Sequence, residues 1–215
     1  MKSLFLILLS VLTLNGYTLD VEKDTVIPST VAPNLLESDF QSTEYLLRVI
    51  NDYRQSKGVH RLELDTGLVK ACKHHAIWMS FYDKAGHSQN RIDSSHVQEI
   101  IVNPYDRAMR FSEVAYKRVA ENSTNDPGIR DNLAYSIEIA NRFRNSCGEG
   151  KPDYTASAAM VLGNWIWSEG HHKTMLLKDD ADIAGVYQYV YKNAKGEYRV
   201  AAVLLISKKF DINNY

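Results

Sequence analysis

The feature that most limits the fold is an almost unbroken apolar run from Val200 to Ile206. Alternate side chains of a strand point to opposite sides of a sheet, so this run predicts a strand that is buried on both faces. The stretch Ile183–Tyr191 precedes it, and the turn Asn193-Ala-Lys-Gly196 joins the two into a predicted hairpin. Helices must then cover both sides of the sheet. The sequence therefore predicts an α/β fold, an α-β-α sandwich with a mainly antiparallel central sheet.

Helical spacing of apolar residues predicts the helices that cover this sheet. They fall at Ser42–Gly58, from an N-cap at Asp65 to Gly86, in a short segment that opens at Asn103-Pro104, and at Tyr154–Ser168. A strand is predicted from Tyr116 to Asn122, and the polar insertion Asn125–Asp153 has helical spacing of its own at Leu133, Ile137, Ala140 and Arg144. On the second helix, the pattern places His75 on the buried stripe and His74 toward solvent.

The N-terminus has the pattern of an export signal. Lys2 precedes an apolar run from Leu4 to Leu14, and the small residue Gly16 follows. The run is shorter than the roughly 20 apolar residues that cross a bilayer, so we expect no transmembrane anchor after its removal. Residues 1–16 are the predicted signal peptide, 17–41 a flexible tether and 42–212 the folded domain. The expected location is extracellular, or periplasmic.

Charge and cysteine content narrow the class of protein further. The net charge is −1 and no lysine or arginine run is present, so we expect no nucleic-acid partner. The cysteines are Cys72 and Cys147, an even pair that suits an oxidising compartment. Sequence gives no distance between them, so a disulfide and two separate buried thiols both stay open.

Three polar residues at predicted element ends are the candidate functional site. His87 follows Gly86 at a helix end, Glu121 ends a strand, and His171 follows the helix that contains Trp165. Side chains at such boundaries can reach a shared cleft on a rigid scaffold. The chain lacks a phosphate-binding glycine loop, a Gly-x-Ser-x-Gly elbow and a His-Glu-x-x-His helix, so the common enzyme classes that use them gain no support.

Six short motifs occur around these residues. They are Ile50-Asn51-Asp52-Tyr53-Arg54, Leu68-x-x-Ala71-x-x-x-x-Ala76-x-x-Met79, Gly86-His87-Ser88, Ala120-Glu121-Asn122, Trp165-x-x-Ser168-x-Gly170-His171-x-x-x-Met175-Leu176 and Ile183-x-Gly185-Val186. In this order the motifs resemble the SCP or CAP superfamily of secreted proteins, which includes cysteine-rich secretory proteins, antigen 5 and pathogenesis-related proteins. The resemblance spans about Thr43 to Phe210.

The resemblance implies an α-β-α sandwich with a large cleft, where two histidines and two glutamates converge and can hold a divalent metal. His87 and His171 match the two histidines, and Glu121 matches one glutamate. The second glutamate does not carry over, because the matching stretch reads Ala158-Ala159-Met160-Val161. Acids of the insertion are candidate replacements: Glu138, Glu149 and Asp153.

Two readings of the three residues remain open. Two neutral imidazoles and one carboxylate are a three-ligand zinc set with an open water position, with His87 and His171 as the metal ligands. The loss of the second acid removes a ligand, an orienting group or a general base. Alternatively, His87, Glu121 and His171 form a hydrogen-bonded network that fixes a junction between helices and a strand.

Two functions are consistent with this sequence. The first is an extracellular binding module whose cleft takes a small hydrophobic ligand, a peptide or a wall fragment, with zinc or another divalent metal as an optional cofactor. The second is a metal-assisted hydrolase that uses the same cleft. The binding module is favoured, because the family resemblance implies no single reaction and the missing acid weakens water activation. No residue is assigned as catalytic.

Overall fold

The computed structural model describes residues 37–89, 101–125, 134–175 and 181–209. The predicted signal peptide and most of the predicted tether lie outside these ranges. The described helices are α1 (Glu37–Ser56), α2 (Thr66–Tyr82), α3 (Pro104–Phe111), α4 (Ala134–Gly148), α5 (Tyr154–Trp167) and α6 (Glu169–Met175). The described strands are β1 (Glu63–Leu64), β2 (Tyr116–Thr124), β3 (Ile183–Lys192) and β4 (Tyr198–Lys209).

The sheet confirms the predicted architecture. Its order is β1-β3-β4-β2, so the apolar strand β4 lies inside the sheet and β2 lies at one end of its described part. The predicted hairpin of β3 and β4 is present, and β2 also pairs with β4 antiparallel. The two-residue strand β1, which pairs with β3 in parallel, was not predicted. It is too short to leave a pattern in the sequence.

Each face of the sheet has its own hydrophobic core. The even-numbered residues of β4 from Val200 to Ile206 pack with α1, α4, α5 and α6. The odd-numbered residues from Ala201 to Leu205 pack with α2 and α3. All seven side chains of this run are buried, which explains why the sequence shows no alternation there.

The close packing of α2 on the sheet depends on Gly185 in β3. A methyl group built at this position would lie 2.1 Å from the Leu68 carbonyl carbon and 2.3 Å from the Val69 nitrogen. Because this obstacle is helix backbone and not a flexible side chain, only glycine lets the helix approach so closely.

Helices α2 and α3 start at the predicted caps, whereas the start of α1 and the end of α2 differ from the prediction. Asp65 accepts a hydrogen bond from the Leu68 amide at the start of α2, and Asn103 accepts one from the Asp106 amide at α3. Helix α1 begins at Glu37, before the predicted start at Ser42. Helix α2 ends at Tyr82 instead of at the predicted Gly86, because the next residue adopts a left-handed conformation with φ 48°.

Two side chains of α1 tie this helix to its neighbours. The Asn51 amide donates to the Leu62 carbonyl and accepts from the Leu62 amide, at 2.9 and 2.8 Å. Buried Arg54 donates from Nε to the His60 carbonyl and from Nη1 to the Met175 carbonyl at the end of α6. Both side chains stabilise the fold, and α6 is thereby anchored to the body of the domain.

The disulfide that the sequence left open is not formed. Cys72 and Cys147 are both free and buried. Cys72 belongs to the core under α2, and Cys147 belongs to the core on the other face of the sheet. Burial raises the pKa of the Cys147 thiol to about 11 and raises the pKa of Cys72 well above its usual value. Within the described residues, no helix is long and apolar enough to span a bilayer.

Candidate functional site

The centre of the candidate site is the dipeptide Glu121-Asn122 in β2. Neighbouring residues of a strand face opposite sides of the sheet, and here each side chain contacts a different helical layer. The Glu121 carboxylate faces α2 and α3, whereas the Asn122 amide donates a hydrogen bond of 2.9 Å to the His171 carbonyl in α6. Because β2 lies at one end of the described sheet, groups from the two layers can meet around it.

A buried ion pair holds Glu121. Arg107, which lies one turn into α3, places its Nη2 atom 2.5 Å from Glu121 Oε2. The Arg107 side chain is 0% exposed and the Glu121 side chain is 1% exposed. A charge-assisted hydrogen bond between two ionised groups is shorter and stronger than a hydrogen bond between neutral groups.

The two terminal nitrogens of the Arg107 guanidinium also bind backbone, whereas its buried Nε has no hydrogen-bond partner among the described residues. Nη1 donates to the carbonyls of Ile101 and Val102 at 3.0 and 3.2 Å, and Nη2 also donates to the His87 carbonyl at 2.9 Å. Arg107 therefore connects three parts of the chain: the segment before α3, the segment after α2, and β2.

The segment after α2 turns at Gly86, whose φ is 152°, a value that side-chain-bearing residues rarely adopt. Its carbonyl accepts a hydrogen bond from Ser123 at 3.1 Å. The turn places His87 Nδ1 at 3.1 Å from Glu121 Oε1. A carboxylate only accepts, so His87 Nδ1 carries the proton of this bond. The His87 side chain remains 49% exposed.

Behind Glu121 lies a pair of buried histidines. The Gln89 amide nitrogen donates to Nδ1 of His74 and of His75, at 3.2 Å each, and the Gln89 carbonyl oxygen accepts from the Ile101 amide at 2.9 Å. His75 Nε2 then donates to the Gly86 carbonyl at 2.7 Å. Burial lowers the pKa of His75 to about 4, although the Glu121 charge acts in the opposite direction.

The prediction for His74 was therefore wrong. His74 is buried, because α3 packs over this side of α2 and the Phe111 ring lies 5.1 Å from the His74 ring. The prediction that His75 is a core histidine was correct. The periodicity of α2 alone does not show that a second helix covers it.

His171 enters the site from the other layer. It lies in the short helix α6, and its ring centroid is 5.9 Å from that of His87, in an edge-on arrangement. The neighbouring His172 is partly buried, and its Nε2 lies 2.7 Å from the Tyr53 hydroxyl of α1. The structure thus brings the three predicted residues, His87, Glu121 and His171, to one place.

These residues do not fit the expected metal site. Both carboxylate oxygens of Glu121 are engaged, one by Arg107 and one by His87. In the described parts of the chain, no three His, Cys, Asp or Glu side chains are grouped so as to hold a metal ion. A carboxylate that a buried guanidinium already neutralises is a poor ligand for a cation.

The acids proposed as a replacement for the missing glutamate have other surroundings. Asp153 caps α5 by accepting from the amides of Thr155 and Ala156, and it forms an ion pair of 2.6 Å with Arg142. Glu138 and Glu149 are exposed on and after α4.

The residues that sequence reasoning missed are Arg107 and Gln89. Arg107 lies on a short polar helix, and no pattern distinguishes it from the exposed Arg110 three positions later. The pair Asn103-Pro104 predicts the start of α3. Only the fold shows which side chain of this helix faces Glu121.

Comparison with known proteins identifies the family. The family model of the cysteine-rich secretory proteins, also called CAP, matches residues 47–204, and the chain belongs to this family. An extracellular SCP-domain protein from Bacillus anthracis is similar in structure, with a TM-score of 0.51 and 15% identity, over 82% of this chain and 45% of that one. The present chain therefore spans less than half of that protein. Comparison with curated protein sequences gives no match.

Two further structures are similar at lower scores. An outer surface protein from Borrelia burgdorferi has a TM-score of 0.49 and 16% identity, over 79% of this chain and 94% of that one. A cysteine-rich secretory protein from Staphylococcus aureus has a TM-score of 0.44 and 13% identity, over 81% of this chain and 40% of that one.

Proposed function

We propose that this protein is an exported binding module, and that its ligand contacts the cleft formed by His87, Glu121 and His171. Membership of the cysteine-rich secretory protein family supports export, as does the likeness to an extracellular protein. The ligand is a small hydrophobic molecule, a peptide or a wall fragment. These classes suit a cleft without a concentrated charge.

The observation that carries this proposal is the division of roles between His87 and Glu121. The Glu121 carboxylate is buried and paired with Arg107, so it holds the site together. The His87 ring is half exposed and is fixed through Nδ1, which leaves Nε2 for a ligand. A fixed imidazole on a rigid cleft is a recognition group that loses little conformational entropy on binding.

The alternative, a metal-assisted hydrolase, has less support from the same contacts. Such an enzyme needs a metal ligand set and a base beside the bound water. Glu121 would have to leave Arg107 to supply either one, and an unpaired buried guanidinium is costly. We therefore do not assign a reaction, and zinc or another divalent metal is not required for the proposed binding.

The test is a thermal-shift and calorimetric screen of the exported protein. The probes are a long-chain fatty acid, a sterol, short peptides and soluble wall fragments, and each is measured with wild type, His87→Ala and His60→Ala. His60 donates to the Ala181 carbonyl outside the cleft, so it is the matched control for loss of an imidazole.

We expect at least one probe to raise the melting temperature of wild type and His60→Ala, with a weaker or absent effect on His87→Ala. Equal binding by all three proteins would place the ligand elsewhere. Peptide or ester turnover that a chelator abolishes would support the hydrolase instead.

A further inference from the structure

The positive charge that neutralises Glu121 comes from the Arg107 side chain. The Arg107 Nη2 atom lies 2.5 Å from Glu121 Oε2, and both side chains are almost fully buried. This guanidinium is held from three sides, because its nitrogens also donate to the carbonyls of Ile101, Val102 and His87.

We propose that Arg107 is the built-in cation of the cleft, and that its pairing with Glu121 keeps zinc from binding through His87, Glu121 and His171. The proposal rests on this cleft being the functional site. On this account ligand binding in the cleft is independent of metal, and Arg107 is the residue that excludes the metal ion.

The contacts of Glu121 give the first reason. An incoming metal ion would need a lone pair of the carboxylate, but Oε2 accepts from Arg107 and Oε1 accepts from His87 Nδ1. The same bond directs the protonated nitrogen of His87 toward the carboxylate. Zinc bound at Oε1 would therefore compete with the His87 bond, and zinc bound at Oε2 would compete with the Arg107 bond.

Electrostatics give the second reason. Two positive charges at short distance repel strongly where water is excluded, and Arg107 is wholly excluded from water. The guanidinium cannot retreat without leaving the three backbone carbonyls that it binds. Arg107 therefore competes with a metal ion both for the carboxylate and for the space beside it.

Zinc titration by calorimetry tests the proposal. The proteins are wild type, His87→Ala, Arg107→Met, the double variant Arg107→Met/His87→Ala, and Arg110→Met as a matched control from the exposed side of α3. We expect Arg107→Met to bind zinc about 10- to 100-fold more tightly than wild type, the range typical of changes beside a metal site. The double variant should lose this gain, and Arg110→Met should behave as wild type.

Wild-type binding of zinc that His87→Ala abolishes would overturn the proposal. So would an Arg107→Met protein that folds but binds zinc no better than wild type. If Arg107→Met does not fold, the comparison of wild type with His87→Ala decides, because equal zinc heats support the proposal and unequal heats overturn it. Failure of the ligand screen would not change these results, since zinc is the only probe.

Discussion

Nη2 of Arg107 lies 2.5 Å from Oε2 of Glu121, and both side chains are buried away from water. This contact joins a helix of one layer to the strand whose next residue, Asn122, binds the helix of the other layer. The ion pair is therefore part of the connection between the two helical layers, and its loss should affect more than the cleft.

Arg107→Met is expected to lower the free energy of unfolding by about 3 to 5 kcal/mol, because it leaves the Glu121 charge buried without a partner. Arg110→Met on the same helix is the control and should change stability by less than about 0.5 kcal/mol. Urea unfolding at neutral pH measures both. A loss below about 1 kcal/mol for Arg107→Met would show that the pair is not formed in solution.

We expect the free energy of unfolding to fall as the pH drops below the pKa of a free histidine side chain. The pKa of His75 is about 4 in the folded protein against 6.5 for the unperturbed side chain, and burial is the main cause. The unfolded chain therefore binds more protons between these values. The stabilisation from neutral His75 is fully present above pH 6.5 and is lost toward pH 4, by about 3 kcal/mol at most.

His75→Gln is the variant that isolates this effect. A glutamine can still accept from Gln89 and donate to the Gly86 carbonyl, but it does not titrate. Unfolding in urea across this pH range should show a shallower pH dependence for the variant than for wild type. Parallel curves for the two proteins would mean that His75 does not cause the acid sensitivity.

Gly185→Ala should be among the most damaging substitutions in the sheet. The added methyl would lie 2.1 Å from backbone of α2, so strand and helix must separate. We expect a loss of about 1 to 3 kcal/mol or more. Gly163→Ala in α5 is the opposite control, because nothing lies within 4 Å and alanine favours a helix by about 1 kcal/mol. Thermal unfolding that ranks the two in reverse would contradict the packing of α2.

The two cysteines should behave as buried thiols, even in protein recovered from an oxidising compartment. Unfolded without reductant, the chain should react with two equivalents of a thiol reagent, because Cys72 and Cys147 are free. The folded chain should react much more slowly, since burial raises the thiol pKa values and limits access. Absence of reactive thiols in the unfolded protein would indicate a disulfide and a different fold.

Sequence patterns were sufficient for the architecture where they extended over whole elements. The run Val200–Ile206 predicted a strand buried on both faces, and the structure places its alternate residues in two cores. The helical spacing within the insertion Asn125–Asp153 similarly predicted α4. The order of short motifs was enough to select His87, Glu121 and His171, which lie close together in the structure.

The parts that the sequence did not predict depend on contacts between distant elements. Arg107 becomes a site residue only because α3 packs beside β2 and turns one of its polar side chains inward. His74 is buried because α3 covers it, which the period of α2 cannot reveal. The fourth acid was sought as a metal ligand, whereas the structure instead provides a fixed cation.

A double-mutant cycle on Arg107 and Glu121 tests the central claim most directly. The free energy of unfolding is measured for wild type, Arg107→Met, Glu121→Gln and the double variant. If the two side chains form the buried pair, the double variant should be clearly more stable than the sum of the single losses predicts, with a coupling of about 1 to 3 kcal/mol. Strictly additive losses would contradict the pair, and with it the built-in cation.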